Sequence, residues 1–391
     1  MPRESRQPSR PQPPPLPAEK APAASSPRGA VGLPLRRVGL LLPSQGRYRT
    51  FGIDARRGAE LCMEDTAGTR PFRLEPVFRD EGDGSAAAAT IVELAERQGV
   101  VAIIGPLLSG TAVSVLPAAE RHSLAVISPT AASGRLGEGS PVFFRTCMTM
   151  ESFARALAGF ASARLARPAF AILTPAEAYG RSFAAEFRRA LEERGGSAPL
   201  VREYAPGLRD LAPWAAALGK DLRPAGAGAA GQWAVNGLFL AGTAQDAGMI
   251  LPRLAYQGLD PRKITVLGGS ALNVPEFPRL AGGYAEGALV ADGFFAGSGQ
   301  SAARAFTRRF RERHGVDPSA AAAQGCAAVE VLAAALGGGA ATPREVLASL
   351  GRAAEIRTVL GPLRVFPGGS VERQPFFSVV RGSALVEVGA P

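Results

Sequence analysis

The sequence predicts an α/β protein made of two similar doubly wound lobes, each a parallel sheet covered by helices. Three observations carry this expectation. Short, wholly apolar runs such as residues 100–104 read as parallel strands covered on both faces. Between such runs lie segments with apolar side chains at helical spacing, which gives the alternation of a doubly wound sheet. The strand, loop, helix rhythm then restarts near residue 150 and runs for a similar length, which implies a second unit like the first.

Taken in order, residues 38–42 form a strand ending at Pro43, and 51–66 form a helix with Ile53, Ala59, Leu61 and Met63 on one side. A strand at 73–78 is broken by the acidic turn RDEGDG, where Asp83 or Ser85 can cap the helix that runs to Gln98. Asp80, Glu81 and Asp83 lack the twelve-residue spacing of a calcium loop and read as a solvated turn. Strand 100–104, helix 111–122 and strand 124–127 complete the first unit. In the second, helix 150–165, strand 169–173 and helix 181–194 are followed by segments at 200–204, 208–218, 235–240, 245–257 and 264–267. The stretch AGAGAAG at 225–231 reads as a surface loop. Three helices (301–314, 320–336, 342–350) lead to short strands at 363–366, 376–381 and 384–388.

Composition narrows the class. A length of 391 residues suits two or three domains, and 46% apolar residues are enough for a sizeable core. No uncharged apolar run reaches the roughly 18–20 residues of a membrane span. The net charge of +10 invites a nucleic-acid reading, but the 44 basic residues include only three lysines (Lys20, Lys220, Lys263). That bias runs through the whole chain and does not mark a groove. In 308–313 (RRFRER) the arginines fall on the wet face of a helix whose Phe306 and Phe310 point inward. Residues 1–37 hold ten prolines and seven basic residues and should form a disordered tail. They lack the apolar stretch of a secretory signal, so they leave open both retention inside the cell and a tethering spacer.

Chemistry is marked mostly by absences. No G-x-S-x-G or P-loop occurs, and 105–110 (GPLLSG) is not a dinucleotide fingerprint. His122 and His314 close helices, where a cation favours the dipole. Cys62, Cys147 and Cys326 are far apart and offer no zinc spacing with two histidines. They read as small buried hydrophobes, with one disulfide and a leftover thiol also possible. No cofactor, metal or catalytic residue is expected.

Binding remains. Ligands of open α/β sheets sit beyond the carboxyl ends of the strands. There Ser109, Thr111, Ser128, Thr130 and Ser133 offer hydroxyls beside helix N-termini suited to a carboxylate, and Tyr48, Phe51 and Tyr179 offer aromatic walls.

Several segments, in order and spacing, resemble the type I periplasmic binding fold in its leucine/isoleucine/valine-binding branch. They include VGLLLPSQGRYRTFGIDARRGAEL (38–61), VVAIIGPLLSGTAVSVLPAAE (100–120), VISPTAAS (126–133), FAILTPAEAYGRSFAAEF (170–187) and YAEGALVADGFF (284–295). FRERHGVDPSAAAAQGCAAVEVL (310–332) and TVLGPLRVFPGGSVERQPFFSVVRG (358–382) extend it. The resemblance implies two lobes joined by three crossover strands, near 144–146, 288–294 and 356–360. Lobe 1 would then be 38–145 plus 293–355, and lobe 2 would be 146–292 plus 356–389. It further implies a ligand held by Phe51, Ser109, Thr111, Thr130, Ala131, Tyr179 and Ser270. Ala132 stands where a threonine hydroxyl is common. The acid that neutralises an amino-acid ammonium is replaced by Ser270, with no acid until Glu276, so ordinary α-amino acids are unexpected ligands. The resemblance implies a non-enzymatic, extracytoplasmic solute receptor working with an ABC-type permease. The stretch at 267–295 is similar also to penicillin-binding protein activators, which are outer-membrane-tethered and contact a peptidoglycan synthase.

Overall fold

The computed structural model describes residues 33–389 apart from 83, 85, 206, 208–211 and 223–232. Most of the proline-rich tail, both proposed caps Asp83 and Ser85, and the 225–231 loop therefore lie outside the described residues.

The first sheet has strands β1 (Leu35–Leu42), β2 (Arg73–Asp80), β3 (Ala102–Ile104), β4 (Ala125–Ser128) and β5 (Phe143–Arg145). Their order is β2-β1-β3-β4-β5 and every pairing is parallel. Leu35, Arg36 and Arg37, assigned to the tail on composition, pair with Arg73, Leu74 and Glu75, so ladder hydrogen bonds carry the strand three residues further back. Helices α1 (Arg49–Thr69), α2 (Ala87–Glu96) and α3 (Ser109–Arg121) connect these strands.

The chain then passes to α4 (Met150–Arg164), β6 (Ala169–Pro175), α5 (Ala178–Glu192), β7 (Ser197–Tyr204), α6 (Ala212–Asp221), β8 (Gly237–Leu240), α7 (Ala244–Tyr256), β9 (Thr265–Gly268), α8 (Glu276–Ala281) and β10 (Leu289–Asp292). Thr243 and Asp246 close a reciprocal cap at the start of α7, which satisfies its first backbone donors. Next come α9 (Ser301–His314), α10 (Ala320–Gly337) and α11 (Pro343–Leu350). The strands β11 (Ile356–Thr358), β12 (Gly361–Val365) and β13 (Val371–Glu372) form a small antiparallel sheet, followed by β14 (Phe376–Arg381) and β15 (Ala384–Val388). The second sheet runs β15-β14-β10-β9-β8-β6-β7, parallel from β10 to β7 and antiparallel at β14 and β15.

Three passages link the sheets: 146–149, 293–300 and 373–375. The third lies later than the 356–360 expected. Val359, Leu360, Leu363 and Val365 are buried in the same core as α1, α9 and α10, and that burial keeps β11 to β13 with the first sheet. In α9, Phe306 and Phe310 are buried while Arg313 and Arg309 reach out to Glu64 and Asp65 of α1. Helix α10 matches a membrane span in length and apolar composition, yet 78% of it is buried inside the protein. It is the central helix of the first core.

Helices α1 and α10 touch backbone to backbone. A Cβ added at Gly58 would stand 1.9 Å from the Ala322 carbonyl oxygen, and one at Gly325 would stand 2.2 Å from that of Ala55. Only glycine fits there. At this contact Cys62 and Cys326 form a disulfide across 264 residues, with their Cα atoms 5.3 Å apart. Of the two readings the cysteines allowed, the bridge with a leftover thiol is the one adopted, and the buried Cys147 is the free thiol. Burial pushes that thiol up to about 11, so it stays protonated at neutral pH.

Candidate functional site

The loops beyond β3 and β4 are built first by hydrogen bonds within the protein. Glu81, expected in a solvated turn, is 1% exposed. Its carboxylate accepts the backbone N–H groups of Leu107 and Leu108 at 2.7 and 2.9 Å and a hydrogen bond from the Thr111 side chain. Burial raises its pKa, and these three bonds oppose the rise by favouring the charged form. Neighbouring Asp80 accepts the Ser44 N–H at 2.7 Å. The acidic turn therefore organises the site's floor.

Hydroxyls stitch the two loops together. Ser128 Oγ donates to the Pro106 carbonyl at 2.5 Å, and Thr130 Oγ1 donates to the Leu107 carbonyl at 2.9 Å. Ser128 Oγ in turn accepts the Ala131 N–H at 3.1 Å, and Ser109 Oγ accepts the Ser133 N–H at 3.4 Å. From β5, the buried Arg145 guanidinium donates to the carbonyls of Ala131, Ser133 and Leu136 at 3.0, 2.9 and 2.7 Å. This clamp fixes the shape of the 129–136 loop.

The residues expected to bind a ligand thus divide. Ser109, Thr111, Thr130 and Ala131 are together at the carboxyl end of the first sheet. The Thr111 side chain is spent on Glu81, Thr130 on Leu107, and the Ala131 backbone on Ser128 and Arg145. Ser109 keeps a half-buried hydroxyl at the first turn of α3, where helix geometry leaves backbone N–H groups without intrahelical partners. The arrangement favours a ligand carboxylate or other acceptor there.

On the second sheet, Tyr179 opens α5 with half its surface exposed and its ring 6.1 Å from that of Phe183. Ser270, after β9, donates to the carboxylate of Asp292, the last residue of β10. Asp292 is 9% exposed and also accepts from Asn273 Nδ2 at 2.7 Å and the Gly293 N–H at 2.5 Å. Burial raises the Asp292 pKa against these bonds. Partial burial, then the Asp292 charge, push the Tyr179 phenol up. Phe51 lies on the first turn of α1, 58% exposed, with its ring in no aromatic pair among the described residues.

Sequence reasoning missed Glu81, Arg145, Asn273 and Asp292. Asp292 sits in VADGFF at the end of an apolar run, and that position at a strand's carboxyl end is the signal that could have found it. It also corrects the expectation that no acid accompanies Ser270. The two histidines stay peripheral: His122 faces Glu96 at 3.8 Å, and the His314 ring lies 4.6 Å from that of Phe310. Cys62, Cys326 and Glu330 place donor atoms within 4.8 Å of one another, but the two sulfurs are bonded to each other.

Two wound sheets joined by three passages, with loop-built polar sites at the carboxyl ends of their strands, define a two-lobed α/β binding protein. A family model described as periplasmic binding protein matches residues 36–382, and the chain belongs to that family, in its leucine/isoleucine/valine-binding-protein-like group. The chain is 25% identical over 260 residues to Leu/Ile/Val-binding protein homolog 3 of Brucella melitensis, covering 64% of this chain and 66% of that relative. Among solved structures, it is similar to a putative branched-chain amino acid ABC transporter protein from Rhodospirillum rubrum (TM-score 0.80, 22% identity, 91% of this chain and 100% of that one). It is similar also to the substrate-binding protein LivJ of Streptococcus pneumoniae in complex with isoleucine (TM-score 0.66, 19% identity, 90% of this chain and 100% of that one).

Proposed function

We propose that the chain is a non-enzymatic, extracytoplasmic solute receptor that delivers a small amino-acid-like ligand to an ABC-type permease. The family and the names of its relatives support the receptor class, and the placement of opposite charge supports the ligand class. Residues 35–145 and 293–372 form one lobe in this reading, and 146–292 with 373–389 form the other. The ligand carboxylate sits at Ser109 and the N-terminus of α3, on the frame made by Thr111, Thr130 and Ala131. The ammonium pairs with Asp292 beside Ser270 and Tyr179, and Phe51 covers the mouth.

The observation that carries this reading is the buried Asp292 carboxylate, held by Ser270, Asn273 and Gly293. A buried anion in the site favours a cation, because either charge alone is costly away from water, and the nearby Arg373 charge acts on Asp292 without an ion pair between them among the described residues. Calorimetric titration with leucine, isoleucine and the α-keto acid of leucine tests it. The amino acids should bind, the keto acid should not, and Asp292→Asn should lose the amino acids. No heat from any amino acid, or unchanged binding in Asp292→Asn, overturns the ligand assignment. A synthase recovered in pull-downs together with a cleft that binds nothing would replace the receptor reading by the activator one.

A further inference from the structure

A second concavity opens beside the three passages. It encloses about 980 Å³, and none of Ser109, Thr130, Tyr179, Ser270 or Asp292 lines it. One wall is α4, with Ser152 and Arg155, and the other is the β12–β13 pair, with Leu363 and Val371. The α4 wall packs on the core of the second sheet and Leu363 on that of the first, so an occupant touches both.

The charge of the lining is unbalanced. It carries Arg155, Arg194, Arg364 and Arg373 against Glu355 and Glu372. Arg364 lies 3.8 and 3.5 Å from the two glutamates, and Arg155 pairs with Glu151. Among the described residues, no carboxylate comes within ion-pair distance of Arg194 or Arg373. Among the described residues Arg194 donates only to the Ala190 carbonyl, at 3.3 Å. Arg373 spends Nη2 on the Gly293 carbonyl at 2.5 Å, while its Nε and Nη1 are buried without any hydrogen-bond partner. Asp292 lies close enough for its charge to act on Arg373, but among the described residues the two make no ion pair.

Buried donors are normally satisfied, and a guanidinium with an unspent edge is complemented by a planar or tetrahedral oxyanion. We propose that this cavity is a second ligand site, separate from the interlobe cleft, for a small molecule bearing a carboxylate or phosphate group. Arg373 and Arg194 are its cationic anchors, and Ser152 and Gln374 are its neutral partners. A ligand held by walls from both cores favours the lobe arrangement in which both reach it. Linkage then makes it change the affinity of the cleft, and the cleft ligand changes its affinity equally.

The test uses the full chain without amino acids, so its outcome is independent of the cleft assignment. Melting midpoint and calorimetric heat are followed against citrate and against inorganic phosphate, with ionic strength matched by sodium chloride. One of the two anions should raise the midpoint beyond the chloride control, and which one does assigns the headgroup. Arg194→Gln, on the exposed rim, should weaken that anion by about tenfold, and Arg373→Lys, which keeps the charge but loses the fork, by at least as much. A midpoint that moves no more than with chloride overturns the proposal. So does wild-type affinity in a folded Arg194→Gln protein, whether or not the Arg373 variant folds.

Discussion

Replacing Glu330 by glutamine should make the protein more stable, and only above mild acidity. Glu330 projects from α10, where its Oε2 accepts the Val359 N–H at 2.8 Å. Burial pushes its carboxyl from 4.5 up to about 7, opposed by the Val359 bond and the Arg309 charge and assisted by the Asp65 charge. The native state therefore holds a proton that the unfolded chain releases near its ordinary value. Below about pH 4.5 both states are protonated, and the full contribution of the shift is present. As pH rises towards 7 the unfolded state binds fewer protons than the native one, so stability falls, and beyond 7 the loss is complete. A shift of about 2.5 units corresponds to about 3 kcal/mol at 1.36 kcal/mol per unit. With roughly 0.8 kcal/mol per kelvin of unfolding entropy for a chain of this size, that is about 4 °C in melting midpoint. Glutamine keeps the shape and an oxygen for the Val359 N–H but has nothing to ionise. Thermal melts of both proteins at pH 5, 6, 7 and 8 should coincide at the acid end and separate to about 4 °C at pH 8, with the variant higher. Glu81 and Asp292 are raised in the same direction and act equally on both proteins, so the difference curve isolates Glu330. A difference that stays constant with pH would show that native Glu330 holds no proton that the unfolded chain releases.

Three further outcomes follow from the packing. Reduction, or Cys62→Ser with Cys326→Ser, should cost about 3–5 kcal/mol, since closing a loop of 264 residues sets a chain-entropy ceiling slightly above that; an unchanged urea midpoint with and without reductant would contradict it. Gly325→Ala places a methyl group against the Ala55 carbonyl and should force α1 and α10 apart at a cost of about 2–3 kcal/mol. Thiol titration should then find more than the one free cysteine, and a fully formed bridge at wild-type stability would rule this out. Arg145→Met removes three donors from the 129–136 loop and should cost about 3 kcal/mol, with faster amide exchange confined to that loop; exchange that does not change there would show that the clamp is unimportant.

The alternation of apolar runs and helical spacing was enough to read most elements, because a buried parallel strand such as Ala102–Ile104 has no polar face to obscure it. What escaped depends on contacts between distant residues. The pairing of Cys62 with Cys326 follows from the α1–α10 contact, which no local pattern announces. Glu81 looked like part of a hydrated turn because its partners Leu107 and Leu108 lie 26 and 27 residues away. The hydroxyls of Thr111 and Thr130 were legible as lying at the carboxyl end of the first sheet, but their bonds to Glu81 and Leu107 were not. A threonine in a loop is the same letter whether it faces a ligand or a carbonyl. The resemblance put the third crossing near 356–360, whereas Val359, Leu360 and Leu363 are held in the first core by burial that no local pattern shows.

The wide separation of α1 and α10 along the chain bears on how the protein is made. The five strands of the first sheet are complete at Arg145, while the helix that covers its core begins only at Ala320. At roughly 5–20 residues per second of synthesis, that face waits on the order of ten to thirty seconds for its cover. During that interval Val38, Leu40, Ala55, Ala59 and Ile104 have no α9 or α10 to pack against, although the parallel core of the second sheet, ending at Asp292, is synthesised before it closes. A fragment ending before residue 300 should therefore be insoluble, however intact its sheets. Any chaperone that escorts the nascent chain has its natural hold on the uncovered side of β1 and β3.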